Sequence, residues 1–168
     1  MAGSGMVKMT ALDWIVILAG VLAYVSSLLP WYQASITVLG ITRTSGVNAW
    51  HAEFGAWFAV LLLIAAGALV LVSTLGGLLR LSASRSLITL TLSVLAFITI
   101  VVRWATFPDA GDGPGRITIG ELGEFDLGQT FTVSSGAGSG LYLGLISAIA
   151  AIAASAIAFR EKSSADPA

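Results

Sequence analysis

The chain of 168 residues contains no cysteine and little charge. The absence of cysteine excludes disulfide bonds, thiolate metal sites, a cysteine nucleophile and lipid attachment through a cysteine side chain. Charged residues make up only 10% of the sequence, whereas soluble domains contain about 25%. The 8 basic and 9 acidic side chains give a net charge of −1 and no polybasic surface. This composition excludes a water-soluble globular domain and predicts no nucleic-acid partner.

Long uncharged stretches are what the sequence has in abundance. Hydrophobic residues account for 57% of the chain, and a helix of about 20 apolar residues crosses the hydrocarbon core of a bilayer. Four segments approach that length, at residues 12–29, 55–75, 87–102 and 140–159. The third is the shortest, and Arg103 and Trp104 extend it by reaching the interface. We predict four transmembrane helices in a single membrane domain covering residues 1–168.

Basic residues near the predicted helix ends are distributed unequally. Five lie on the side of the termini and of the loop at 76–86, and three on the opposite side: Lys8, Arg80, Arg85, Arg160 and Lys162 against Arg43, Arg103 and Arg116. Because Lys and Arg are retained in the cytoplasm, both termini are expected there. A cleaved signal peptide is the alternative for residues 12–29, but this run exceeds the usual core of about 7–15 residues and lacks a small-residue cleavage pattern.

The two loops on the opposite side, at residues 31–48 and 107–139, have β-type sequences. Ile36–Val38 and Ile41–Thr44 are β-branched runs around Leu39-Gly40, which predicts a tight hairpin. Alternating runs at 116–119 and 129–133 predict further strands, and together they favour a sheet of three to five strands. Asn48 is expected to cap the second helix. The predicted fold class is an all-α membrane bundle with four transmembrane helices and a small extracytoplasmic β-rich cap.

Groups that carry chemistry are few. The chain has 1 histidine and no carboxylate in the middle of a predicted span, so we predict no catalytic residue, no cofactor and no metal site. His51 is interpreted as a packing residue one turn into the second helix, since a lone histidine does not build a zinc site. Asp13 fits a capping box with Thr10, and its alternative is an ion pair with Arg80 or Arg85. The acidic residues of the second loop fail the spacing rule of calcium loops.

Three helix patterns predict packing. Glu53 and Arg103, near the outer ends of the second and third helices, form a candidate structural ion pair, with a ligand or ion site as the alternative. A stripe from Ser86 to Arg103 on the third helix favours interhelical contact over a polar path. Small residues at three- and four-residue steps form a packing face on the fourth helix, open either to the bundle or to another protein: Gly140, Gly144, Ala148, Ala151, Ser155 and Ala158.

Tryptophans near the helix ends fit the aromatic belts of membrane interfaces. Trp14 lies near one predicted interface, and Trp31, Trp50 and Trp104 lie near the other. We interpret all four as anchors at the level of the lipid headgroups.

With these residues identified, the sequence resembles small four-helix integral membrane proteins of actinobacteria. The resemblance rests on Leu29-Pro30-Trp31-Tyr32 at the end of the first span, on Val47-Asn48-Ala49-Trp50 before the second and on the Ala/Leu-rich run at 59–71. It covers mainly residues 12–75 and implies a bacterial plasma-membrane location without implying an activity. The layout is distantly similar to claudins, but the paired loop cysteines of claudins are absent.

These observations favour a non-catalytic accessory, scaffold or envelope-associated subunit of the plasma membrane. Its expected partners are membrane lipids and either a protein or further copies of the chain, bound through small-residue helix faces or through the outer loops. The alternatives are a small oligomeric transporter or channel, and an enzyme at the outer face using Glu53, His51 and loop carboxylates. Ion-coupled transporters commonly use acidic residues at span centres and prolines in helix interiors. The predicted spans of this sequence have neither feature.

Overall fold

The computed structural model describes residues 9–38, 40–75, 82–106, 113–114, 116–118, 124–126 and 131–165. Within these ranges the chain forms four helices, α1 (Ala11–Leu28), α2 (Glu53–Leu75), α3 (Ser82–Ala105) and α4 (Ser139–Ala165). Each helix contains a stretch of 18 or more residues that is apolar enough to cross a membrane. The third such stretch runs over Arg85–Ala105 and is longer than its predicted range of 87–102.

Strands occupy both loops at one end of the bundle. In the described residues they are β1 (Pro30–Val38), β2 (Ile41–Asn48), β3 (Gly113–Pro114), β4 (Arg116–Thr118), β5 (Glu124–Asp126) and β6 (Phe131–Ala137). The larger sheet has the strand order β2-β1-β6-β3, and its pairings are antiparallel. Strands β4 and β5 form a separate antiparallel pair. The predicted fold class, a four-helix membrane bundle with a small β cap, is confirmed.

The β1–β2 hairpin forms where the β-branched runs predicted it. Val38 pairs with Ile41, and Gly40 adopts a φ of 80° in the turn between them. Glycine reaches this left-handed conformation at no steric cost, whereas other residues are strained there. Two hydroxyl pairs link the strands on one face, Ser35 with Thr44 at 2.9 Å and Thr37 with Thr42 at 2.8 Å.

The helices run up and down in chain order, so sequence neighbours are antiparallel. Helix α1 packs between α2 and α4, and α3 packs between the same two helices on the opposite side. This is the square arrangement of an up-down-up-down four-helix bundle. We call the end that carries the strands the sheet end, and the end with the start of α1 and the end of α4 the terminal end.

Alanine fills much of the bundle interior. Nine alanines of the four helices are at most 2% exposed, namely Ala19, Ala23, Ala56, Ala59, Ala66, Ala96, Ala148, Ala151 and Ala154. The larger Val60, Leu63 and Ile100, each 1% exposed, fill the spaces among them. Small side chains let helix backbones approach closely, which is how helices associate in lipid, where no hydrophobic effect drives them together.

Trp31 lies inside the protein at the sheet end. Its side chain is fully buried, its indole Nε1–H donates to the Ser26 carbonyl at 2.9 Å, and its own carbonyl accepts from the Gly138 N–H at 2.8 Å. A Cβ atom on Gly140 would lie 2.6 Å from Trp31 Cδ1, and one on Gly144 would lie 3.1 Å from Trp31 Cζ2. The glycines of α4 thus form the slot that receives the indole. The prediction of Trp31 as a headgroup anchor is wrong, because α4 covers its ring.

The connection from β2 into α2 also differs from expectation. Asn48 ends β2, and its Oδ1 accepts from the His51 N–H at 3.2 Å and lies 2.8 Å from His51 Nδ1. Helix α2 begins later, at Glu53. Asn48 therefore organises a turn, and its predicted role as the cap of α2 is wrong. The predicted place of His51 one turn into the second helix is also wrong, because His51 precedes α2. The Ala49 N–H donates to the Ser27 carbonyl at 3.2 Å, which fixes this turn against the end of α1.

The tryptophan slot generates a stability prediction. Gly140→Val is expected to lower the free energy of unfolding by about 1–3 kcal/mol, because the added atoms overlap the indole and the Ser26 carbonyl. Gly136→Val is the matched control, since Gly136 is exposed and a Cβ atom on it would have no neighbour within 4 Å. The control is expected to change stability by no more than about 0.5 kcal/mol. Thermal unfolding in detergent measures both, and equal losses would contradict the slot.

Candidate functional site

A polar cluster lies at the terminal end, inside the bundle. Asp13 on α1 forms an ion pair with Arg85 on α3. The same carboxylate completes a capping box, in which Asp13 Oδ2 accepts from the Thr10 N–H at 3.0 Å and from its hydroxyl at 2.9 Å, while Thr10 Oγ1 accepts from the Asp13 N–H at 3.2 Å. The predicted capping box is confirmed, and the ion pair with Arg85, weighed as its alternative, is present alongside it.

Arg85 extends the cluster to α2. Its Nη1 donates to the Ser73 hydroxyl at 3.1 Å, and Ser73 in turn donates to the Val70 carbonyl at 2.9 Å. The Arg85 and Asp13 side chains are 17% and 9% exposed. Charges so withdrawn from water require their partners, since removing one leaves the other buried and uncompensated. The pair therefore fixes α1, α2 and α3 relative to one another.

Next to the ion pair is a small cavity of about 20 Å³. Its polar lining comes from Asp13, Arg85, Ser86, Thr89 and Ser155. Thr89 donates to the carbonyl of Arg85 at 2.8 Å. Ser155 is 3% exposed, and its hydroxyl has no hydrogen-bond partner within the described part of the chain. The cavity thus adds α4 to the surroundings of the ion pair.

Arg103 lies near the sheet end of α3, whereas Arg85 lies near the terminal end of the same helix. Its guanidinium carbon lies 5.1 Å from the centroid of the Tyr32 ring, a cation–π geometry that links α3 to β1. A Cβ on Gly55 would lie 3.7 Å from Arg103 Cδ, which places this side chain against the start of α2. The Glu53 side chain is outside the described residues. The Glu53–Arg103 pair therefore stays a prediction.

The small-residue face of α4 lies within the bundle. Gly140, Gly144, Ala148, Ala151 and Ser155 are buried, and Ala158 is half-buried. Trp31 and α1 cover this face near Gly140 and Gly144. The face is occupied by the chain itself and leaves no room for a helix of another protein.

The stripe on α3 is also turned inward. Ser86, Thr89, Ser93, Ala96 and Ile100 are each at most 5% exposed. The hydroxyls of Thr89 and Ser93 donate to carbonyls of their own helix at 2.8 and 2.9 Å. This stripe therefore provides contact between helices, as the sequence pattern predicted.

Aromatic side chains mark both ends of the helices. Trp14, Trp50 and Trp104 are 52%, 41% and 48% exposed, as amphipathic rings at a lipid interface are. Trp50 also donates from Nε1 to the Ser27 hydroxyl at 3.0 Å.

Sequence reasoning missed a cluster of aromatic rings at the start of α2, where the Phe54 ring lies 4.8 Å from Trp57 and 5.1 Å from Phe58. The helical spacing of these three aromatics was the signal for it.

Sequence reasoning also missed two members of the polar cluster. Ser73 carries no motif that distinguishes it, and Ser155 was interpreted as a small packing residue and not as a hydroxyl. In the described residues, no group of three or more histidine, aspartate or glutamate side chains is placed to hold a metal ion. The acidic residues of the second loop that fail the calcium-loop spacing rule, Asp109, Asp112 and Glu121, lie outside the described residues, as do the side chains of Glu124 and Asp126.

Comparison with protein-family models finds no family that matches the chain, and comparison with curated proteins finds no significant match. The resemblance to actinobacterial four-helix membrane proteins therefore stays a prediction. What the structure defines is a class, a multi-pass membrane protein whose four apolar helices carry a sheet at one end.

The polar cluster generates the second prediction. Asp13→Ala is expected to lower the free energy of unfolding by about 3–5 kcal/mol, because Arg85 is left buried without its counter-ion. Thr10→Ala removes the helix cap but keeps the ion pair, and is expected to cost about 0.5–2 kcal/mol. Thermal or denaturant unfolding in detergent separates the two contributions.

Two further variants control this experiment. Arg160→Met removes an exposed basic side chain near the same end and is expected to have an effect within about 0.5 kcal/mol. The double variant Asp13→Ala, Arg85→Met is expected to be less destabilised than the sum of its single changes, since neither charge is then left alone. Additive losses would contradict an energetically coupled pair.

Proposed function

We propose that this protein is a non-catalytic accessory or scaffold subunit of the bacterial plasma membrane that presents its sheet to a protein partner outside the cytoplasm. The observation that carries the proposal is an uncovered aliphatic patch on the hairpin. Ile36, Val38 and Ile41 are 42%, 44% and 67% exposed. Contiguous apolar side chains left exposed on a protein are typical of binding surfaces.

The strand register places these three side chains together. Alternate residues of a strand point to opposite faces, so Ile36 and Val38 share one face of β1. Val38 pairs with Ile41, and Ile36 pairs with Arg43. The opposite face carries the hydroxyl pairs of Ser35 with Thr44 and Thr37 with Thr42. The hairpin therefore has one aliphatic face with a basic residue and one hydroxyl face.

The outer edge of β2 is a second element of this surface. In the described sheet β2 pairs only with β1, and seven of its eight residues are exposed. An edge strand presents unpaired N–H and C=O groups to which an extended segment of another protein can add. An aliphatic face beside an open edge supplies both apolar and main-chain contacts to such a segment.

The attachment of the sheet suits a scaffold. Strand β1 follows α1 directly, β6 leads into α4, and the buried Trp31 connects both to the bundle. A surface held in this way is preorganised for a partner, so little conformational freedom is lost when the partner binds.

The bundle interior favours this role over transport through a single chain. Ala19, Ala23, Leu63, Ala96 and Ala148 fill the described interior and are each at most 2% exposed. A small transporter or channel, the alternative function, would require a path between several copies. The distribution of basic residues supports cytoplasmic termini, which puts the sheet outside the cytoplasm.

Site-directed cross-linking tests the proposal, and the cysteine-free sequence makes it selective. Ile41→Cys carrying a photoreactive maleimide is expected to cross-link one polypeptide reproducibly in native membranes. The same probe on Ser163→Cys, an exposed position near the other end of the chain, is expected not to capture it. Mass spectrometry of the adduct identifies the partner.

A pair of charge substitutions shows whether the aliphatic face binds that partner. Ile41→Asp is expected to reduce recovery of the partner with the detergent-solubilised protein by at least about tenfold, the equivalent of about 1.4 kcal/mol. Thr44→Asp, on the hydroxyl face of the same strand, is the matched control and is expected to retain the partner. Adducts that contain only further copies of the chain, together with ion flux through reconstituted liposomes, would contradict the accessory role and support the channel.

A further inference from the structure

The cavity beside the Asp13–Arg85 pair has the properties of a binding site for one small polar molecule. It lies where the four helices meet, and its polar lining comes from Asp13, Arg85, Ser86, Thr89 and Ser155. The charged side chains of Asp13 and Arg85 are mostly buried, at 9% and 17% exposure. The site is independent of the hairpin surface, which lies at the other end of the bundle.

The Ser155 hydroxyl is the observation that points to a ligand. Serine and threonine in membrane helices ordinarily donate to a carbonyl of the preceding turn, and Ser147, two turns earlier on α4, does so with the Leu143 carbonyl at 2.8 Å. Ser155 lines the cavity with 3% exposure and has no partner within the described residues. A buried hydroxyl without a hydrogen bond is destabilising, so a bound partner is favoured.

Size and charge select the molecule. The cavity volume is about 20 Å³, and about 10–15 Å³ by this measure is enough for one water molecule. The space therefore fits a ligand of the size of one water molecule. Asp13 and Arg85 offset each other's charge, so the site has no net charge that attracts an ion, and neutral water can donate to Asp13 and accept from Arg85.

We propose that this cavity binds one ordered water molecule that hydrogen-bonds the Ser155 hydroxyl to the Asp13–Arg85 pair. Buried waters typically make about three hydrogen bonds, and the lining offers that number. The Thr89 oxygen, whose proton is engaged with the Arg85 carbonyl, keeps lone pairs that accept another bond. The water brings α4 into a network that otherwise joins α1, α2 and α3 through Asp13, Ser73 and Arg85.

The direct test is an experimental structure of the full chain at a resolution that shows ordered water. Density for one water is expected within about 2.6–3.2 Å of Ser155 Oγ and of at least one polar atom of Asp13, Arg85 or Thr89. Ser155 donating instead to the carbonyl of Ala151, or a cavity without density, overturns the proposal.

Two substitutions at Ser155 give an independent readout in solution. If water occupies the cavity, Ser155→Ala removes one of its partners and Ser155→Val displaces it, so the Tm is expected to fall by about 2–4 °C for alanine and further for valine. If the cavity is dry, removing an unsatisfied hydroxyl raises the Tm, and filling the space raises it more. A Tm at or above that of the unmodified protein for either variant overturns the proposal.

Ser147→Ala is the matched control for these measurements. It removes a hydroxyl that is equally buried on the same helix, at 1% exposure, but that is bonded within the helix. Its Tm is expected to change by less than about 2 °C. A loss as large as that of Ser155→Ala would assign the effect to serine removal in general and reject the water.

Discussion

The indole of Trp31 lies in the slot that Gly140 and Gly144 leave on α4, and the position of the sheet on the bundle depends on this contact. The ring is completely buried, and its N–H satisfies a carbonyl at the end of α1. Its own carbonyl receives the Gly138 N–H just before α4 begins. One residue near the start of β1 thus contacts both the end of α1 and the entry to α4.

The rest of the architecture distributes polar contacts to the two ends and apolar packing to the middle. At the sheet end, Arg103 lies over the ring of Tyr32, and Trp50 donates to Ser27. At the terminal end, the Asp13–Arg85 pair holds three helices together. Between them the interior consists mainly of alanine and a few aliphatic side chains, and the buried hydroxyls of Ser93 and Ser147 are bonded within their own helices. Small side chains of this kind allow the close packing of helices in lipid. This filling of the interior fits the proposed role, in which the sheet binds a partner, better than transport through a single bundle.

Helix number and the first hairpin were accessible from the sequence because they depend on local properties. Apolar length defines a span, and Gly40 between two β-branched runs defines a hairpin turn. The antiparallel pairing of β1 with β6 joins two loops distant in sequence, and no local pattern specifies it. Trp31 was misassigned for a related reason, since a tryptophan at a span end fits a lipid interface equally well until the glycines of α4 are placed against it.

The polar cluster shows the same limit within the helices. Thr10 and Asp13 form a motif that is visible in the sequence. Only the packing of the helices selects Arg85 as the partner of Asp13 and places Ser155 beside them.

The proposed role requires a bundle that spans the membrane with its sheet outside the cytoplasm and its termini inside. Labelling single-cysteine variants of the cysteine-free chain in intact cells with a membrane-impermeant maleimide tests this most directly. The proposed topology predicts that Ile41→Cys reacts in intact cells, whereas Ser163→Cys reacts only after the membrane is permeabilised. The reverse pattern, or reaction of both positions in intact cells, would contradict it.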